Sequence, residues 1–376
     1  MRIHRWASLT RRHAIALAVV CLGAVVAAPA LAASGTFLGP LHKSGKIAST
    51  VPASGDVNPY GVAVAPVSTG RLVAGDVLVS NFNDEANKQG TGKTIVEVSP
   101  TGHVSLFASL NPRKLPGACP GGVGLTTGLV ALRSGWVIVG SLPTKNGSSS
   151  TMRAGCLLVI DSSGQAVESI AGAPINGPWD MTAVDSGGTA TLFVSNVLNG
   201  TVKASPKTTH GGTVVRIELS IPSAGPPAVS SETVVGTAFP ERTDPAALVV
   251  GPTGLGISNG TLYVANSAAN SISAIPGAMT RSTPASPTTI TKGGKVNDPL
   301  GLAIAPNGDI LAANGGNGNL VEITPSGQQV AVRTLDTTAA PPAPKGSGAL
   351  FGFAVAPAGN AVYYVNDAVN TLRLLH

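Results

Sequence analysis

The feature that most constrains this chain is an internal repeat: one short pattern returns six times, at intervals of about 50–70 residues. It reads Pro59-Tyr-Gly-Val-Ala-Val64, Pro120-Gly-Gly-Val-Gly-Leu125, Pro178-Trp-Asp-Met-Thr-Ala183, Pro252-Thr-Gly-Leu-Gly-Ile257, Pro299-Leu-Gly-Leu-Ala-Ile304 and Leu350-Phe-Gly-Phe-Ala-Val355. A second apolar run follows each, ending in Asn in five units: Asn81, Asn196, Asn266, Asn314 and Asn366. In the second unit Trp136-Val-Ile-Val-Gly140 takes that place without the Asn. Third and fourth runs follow, such as Thr94-Ile-Val-Glu-Val98 and Gly102-His-Val-Ser-Leu-Phe107.

Runs of four to six Val, Ile, Leu and Ala residues between Gly- and Pro-containing turns read as strands. With 47 Gly and 29 Pro, a helical bundle is excluded, because both residues break helix interiors. Four strands per unit make one antiparallel sheet with two apolar faces, which cannot bury both alone. Six such sheets packed face to face around an axis can, so the fold class is all-β, a six-bladed β-propeller of four-stranded blades. The sixth unit runs out after its third strand, Thr371-Leu-Arg-Leu-Leu375. Residues 45–51, Gly-Lys-Ile-Ala-Ser-Thr-Val, form a strand with no unit of their own and are expected to complete that blade and close the ring.

The Pro-x-Gly-[Val/Leu]-Ala-[Val/Ile] opening and the Tyr-Val-Ala-Asn second strand resemble NHL repeats, and the likeness covers nearly all of residues 33–376. It implies a ligand face built from the loops that lead into each inner strand and those joining second to third strands. The latter are long in the first three units, Phe82 to Lys93, Leu142 to Gly155 and Val197 to Gly212, and short in the last three. One side of that face should stand raised as a lid or partner-binding rim. Lys88, Lys145, Arg153, Lys203 and Lys207 lie in these loops, as solvated lysines or as a site for an anion.

The resemblance also extends to metal-dependent lactonases and lyases, in which Glu, Asn and Asp hold a divalent metal over the channel. Here the residue before the repeated Gly reads Tyr60, Gly121, Trp179, Thr253, Leu300 and Phe351, with no carboxylate or Asn among them. Hard cations need several oxygen ligands, and His42, His103, His210 and His376 are far apart. No cofactor is therefore expected, and a divalent cation belongs only to the alternative enzyme reading.

The candidate ligand-binding residues are Tyr60, Trp179, Asp180, Phe351, Asn366 and Asp367. The three aromatics can stack on a flat ligand or pack between blades. Asp180 replaces the Gly of the other five units, either capping a turn or pointing into the channel as ligand or general base. Asn366-Asp367, with Asp180, is the one place where an oxygen-rich site could arise from these positions. The five recurring Asn residues suit a repeated turn.

Arg2, Arg5, Arg11 and Arg12 precede an apolar run from Ala14 to Leu31 that closes on Ala30-Leu31-Ala32, the form of a cleaved secretory signal over residues 1–32. Localisation is thus expected to be secreted or periplasmic, by the general export route rather than the twin-arginine route, with no other membrane segment. Cys119 and Cys156 remain as an even pair in an oxidising compartment and read as a disulfide. Removing the signal takes four of the 24 Lys and Arg, leaving 20 basic against 18 acidic residues, a balance of +2 rather than +6. That removes the case for nucleic-acid binding. The leading expectation is a monomeric binding scaffold for a protein or small polar ligand. A lactonase- or lyase-like enzyme using Asp180 and a carbohydrate- or cell-wall-binding module are the alternatives.

Overall fold

The computed structural model describes residues 35–338 and 343–376; the export signal expected over residues 1–32 lies outside them. Six antiparallel sheets follow one another along the chain. Their inner strands are Val57–Val64, Leu125–Ala131, Pro178–Asp185, Pro252–Ser258, Pro299–Ile304 and Leu350–Val355, and each touches the next around a closed ring, the last meeting the first. The apolar runs are continuous because both faces of every blade are buried. In the second strand of blade one, Leu78 packs with Leu129 and Val137 of blade two, while Val77 and Val79 pack with Tyr363 and Val365 of blade six. One such cluster fills every joint between neighbouring blades.

The ring closes as the sequence predicts. Ser44–Ser49 pairs antiparallel with Thr371–Leu375, with Ser44 opposite Leu375 and Ser49 opposite Thr371. The segment before it adds a tie that the repeat pattern does not contain. The buried Glu322 carboxylate of blade five accepts the backbone N–H groups of Phe37 and Leu38 at 2.7 and 2.8 Å. Arg333 donates to the carbonyls of Gly39 and Leu41, both at 2.6 Å.

The repeated Gly exists because inner strands approach closely. A Cβ on Gly352 would lie 1.8 Å from the Tyr60 carbonyl oxygen, and one on Gly301 would lie 2.4 Å from that of Phe351. Buried hydroxyls stitch the same joints elsewhere: Ser80 to Thr126 O (2.9 Å), Thr127 to Trp179 O (2.7 Å), Ser195 to Thr253 O (2.9 Å) and Thr253 to Pro299 O (3.1 Å).

Two details differ from the sequence reading. The inner strand of blade two is Leu125–Ala131, with Leu125 opposite Ser141 and Leu129 opposite Val139. Its repeated Gly is therefore Gly128, preceded by Thr127; Pro120-Gly-Gly and Gly121 belong to the loop before it. Blade three carries a fifth strand, Leu248–Val250, paired with the end of the 17-residue strand Ala228–Asp244. The disulfide forms as expected: Cys119 and Cys156 have Cα atoms 5.2 Å apart and fasten the loop before blade two to that blade's third strand.

Candidate functional site

Inner strands enter from the face that also carries the second-to-third loops, so the residues before each Gly meet at that end of the axis. Tyr60 is sandwiched there, with Phe351 stacked at 4.1 Å and Phe82 at 4.5 Å between ring centroids. Trp179 stands edge-on to Tyr60 and Phe82 at 6.1 and 5.7 Å. Leu142 and Met152 from the long loop of blade two, Val197 from that of blade three, and Leu248 and Val249 from the extra hairpin close over this layer. The long loops thus converge on the axis as an apolar cap. Tyr60, Trp179 and Phe351 are buried, and both faces of the Tyr60 ring are covered, so it has none left for a ligand. Thr127 and Thr253 use their hydroxyls on neighbouring carbonyls. The axial position therefore offers no carboxylate or free amide oxygen, and its residues do not fit a divalent cation.

Asp180 lies one residue further down, lining a cavity of about 50 Å³ with Val62, Thr127, Leu129, Met181 and Phe353. Its Oδ1 accepts the Met181 N–H at 2.8 Å. Burial raises its pKa to about 7, opposed by that hydrogen bond. Asp180 does face the channel, but beneath the aromatic layer and apart from the loops.

What the loop face does present is an off-axis cup of about 480 Å³, lined by Asn58, Asn83, Glu85, Asn87, Gln89, Ala246, Asp367 and Asn370 among others. Residues 57 and 58 start the first inner strand, Asn83–Gln89 is the long loop of blade one, Ala246 is the hairpin tip of blade three, and Asp367–Asn370 is the turn of blade six. Hydrogen bonds lock the wall. Asn58 N–H donates to Asn370 Oδ1 at 2.7 Å, Asn83 Nδ2 to Asn87 Oδ1 at 2.7 Å, and Gln89 Nε2 to Ala246 O at 2.9 Å. The side-chain oxygens of Asn58, Asn83 and Gln89 are left buried without a described partner, which carries a desolvation cost.

Burial raises the Asp367 pKa to about 7. Nearby Asp298 is raised to about 6, mainly by burial and further by the Asp244 carboxylate, with Arg242 opposing. The Tyr60 hydroxyl is pushed well up by burial and by Asp367 and Asp298, while a hydrogen bond from the Asn58 side chain acts the other way. The edge of the Tyr60 ring therefore belongs to the axial layer and its hydroxyl to the surroundings of the cup. No Lys, Arg or His is among the cup residues, so an anion is disfavoured. Among the described residues no three His, Cys, Asp or Glu side chains converge as metal ligands.

Of the residues singled out in the sequence, Asp367 lines the cup; Asn366 lies behind it, its Nδ2 donating to Asp336. The other recurring Asn residues clamp the chain entering their own blades. Asn81 reaches Thr50 O (3.0 Å), Asn266 Pro240 O (3.2 Å) and Asn314 Lys295 O (2.8 Å), while Asn196 accepts from Asn176 N–H (3.2 Å). The repeat pattern does not single out the amide residues of the cup: Asn58 lies at the start of the first inner strand one residue before the motif, Asn83 ends the second strand two residues past the recurring Asn81, and Asn87, Gln89 and Asn370 lie in the turns beyond. The density of amides in Asn81-Phe-Asn-Asp-Glu-Ala-Asn-Lys-Gln89 is the signal that could have found them.

No family model and no curated protein matches the sequence. Solved structures do match. A gluconolactonase from Xanthomonas campestris is 12% identical, covering 89% of this chain and 95% of that one, with a TM-score of 0.54. A luciferin-regenerating enzyme is 12% identical over 87% and 92% of the two chains (TM-score 0.54). Regucalcin from Agrobacterium tumefaciens, a calcium-binding protein, is likewise 12% identical over 87% and 92% (TM-score 0.52). At that identity the likeness carries the six-bladed fold and not the activity.

Proposed function

We propose that this chain is an exported, NHL-like propeller that binds a small, neutral, polyhydroxylated ligand, such as a sugar or a sugar lactone, in the off-axis cup. The cup carries this reading: a concave space of about 480 Å³ lined by amides and carboxylates, in the size range of small-molecule sites. A hydroxyl both donates and accepts, which suits a wall of amide and carboxylate side chains and an Asp367 carboxyl that is half protonated near neutral pH. The disulfide is consistent with export. Thermal shifts of the purified protein against monosaccharides, aldonolactones and calcium test the reading. Saturating ligand at 100 times Kd should stabilise by about 2.7 kcal/mol. Calcium alone raising the Tm would replace the sugar with a cation.

The elevated Asp367 pKa favours a second reading, an acid–base enzyme acting on a lactone or related ester in the same cup. Asp367 would exchange the proton while the surrounding amides orient the ring. Lactone hydrolysis with a pH profile that breaks near 7 in the wild type, and is lost in Asp367→Asn, supports the enzyme over the binding module.

A further inference from the structure

The opposite face of the ring carries a separate cleft. The turns joining first to second and third to fourth strands lie there, and those of blades two and three enclose about 510 Å³ between Ser134, Trp136, Asp161, Ser162, Ile221 and Ser223. Trp136 is half-buried: part of the side chain packs against the apolar cluster in the joint between the blades, and it also borders the cleft. Every other Trp and Tyr in the cores described above is buried in a blade joint or in the axial layer. Here an indole borders open space with three serines around it.

Asp161 is fixed in place. Its Oδ1 accepts the Ser163 N–H (2.9 Å), the Ser163 hydroxyl (2.7 Å) and the Gln165 N–H (2.9 Å), leaving Oδ2 without a described partner. The cleft thus combines an aromatic platform, one oriented carboxylate and several hydroxyls, with no basic side chain among its lining residues. A flat apolar surface beside a few oriented acceptors suits a pyranose, whose ring faces are apolar and whose edges carry hydroxyls. Asp161 would accept from a sugar hydroxyl, and its charge argues against an acidic glycan.

We infer that this cleft is a second binding site, for a neutral glycan chain laid across Trp136, independent of the cup on the other face. Of the three tryptophans, Trp179 is buried and Trp6 lies in the expected export signal, so a glycan-induced change in tryptophan emission that Trp136→Phe abolishes reports Trp136. The test is fluorescence titration of the full chain with maltohexaose, cellohexaose and chitohexaose. At least one should change the emission saturably, and Trp136→Phe should abolish the change and weaken binding at least tenfold by calorimetry. Because Trp136 also packs between blades, Ser223→Trp provides a second test: this exposed loop residue can be enlarged to fill the cleft without touching the core, and it should also lose binding. The inference is overturned if none of the three hexasaccharides binds, or if binding survives both substitutions. It is equally overturned if Asp367→Asn removes binding while Trp136→Phe does not, which would place the glycan in the cup.

Discussion

Tyr60 and Phe351 stack at 4.1 Å across the joint between the first and last blades, with an interplanar angle of 21°. The chain places them 291 positions apart, and the contact exists only if the ring is closed. The next residue, Gly352, lets the strand carrying Phe351 pass against the Tyr60 carbonyl. Closure and the apolar filling of the axis are therefore one structural event, and they displace polar chemistry from the axis to the cup.

Tyr60→Ala should cost about 3–5 kcal/mol, the range for removing a large buried aromatic. Tyr60→Phe keeps the stack and should unfold within about 1 kcal/mol of wild type while altering only the polar surroundings of the cup. Urea denaturation of both variants measures the difference.

Stability should fall as pH rises from about 4 to 8. Asp180 and Asp367 have folded pKa values of about 7 and Asp298 about 6, all raised from 3.8 chiefly by burial. Between the unfolded and folded values the native state holds protons that the unfolded chain has released, so the stabilising contribution of the neutral form is lost as pH climbs through 7. For Asp180 alone the cost of ionisation is on the order of 4 kcal/mol. Asp180→Asn should raise the Tm at pH 8 and leave it nearly unchanged at pH 4, as thermal melts at the two pH values can check.

The repeat made the blade number, the strand order and the closing N-terminal strand legible, because each blade must bury two faces and leave no open edge. Blade two was misplaced by its own local chemistry. It has three residues between Leu125 and Leu129 in the ladder where blade one has two between Pro59 and Val62, and Pro120-Gly-Gly imitates the motif a few positions early. The aromatic residues were identifiable, but whether they would stack on each other or on a ligand depends on Phe82, just past the recurring Asn81 in the second strand of blade one, and on Leu248 in the extra strand of blade three, positions the repeat does not share. The cup was mostly invisible for the same reason: periodicity reveals what blades share, and the cup is made from what they do not share.

Glu322→Ala should release the segment before the closing strand. It removes a buried acceptor from two backbone N–H groups and should cost about 2–4 kcal/mol. Limited proteolysis should then cut near residues 35–43 before any other site, while the wild type resists.

Reducing the Cys119–Cys156 bond, which closes a separation of 37 residues, should lower stability by about 3–4 kcal/mol on the chain-entropy estimate. Denaturation with and without reductant, using Cys119→Ser/Cys156→Ser as the control, isolates the effect.

The most direct measurement is calorimetric titration of the best ligand from the sugar and aldonolactone panel into wild type, Asp367→Asn and Asp180→Asn. Asp367→Asn is expected to weaken binding at least tenfold, while Asp180→Asn binds as wild type, because Asp367 lines the cup and Asp180 lies under the aromatic layer. Loss of binding in Asp180→Asn with full binding in Asp367→Asn would contradict it and place the site on the axis.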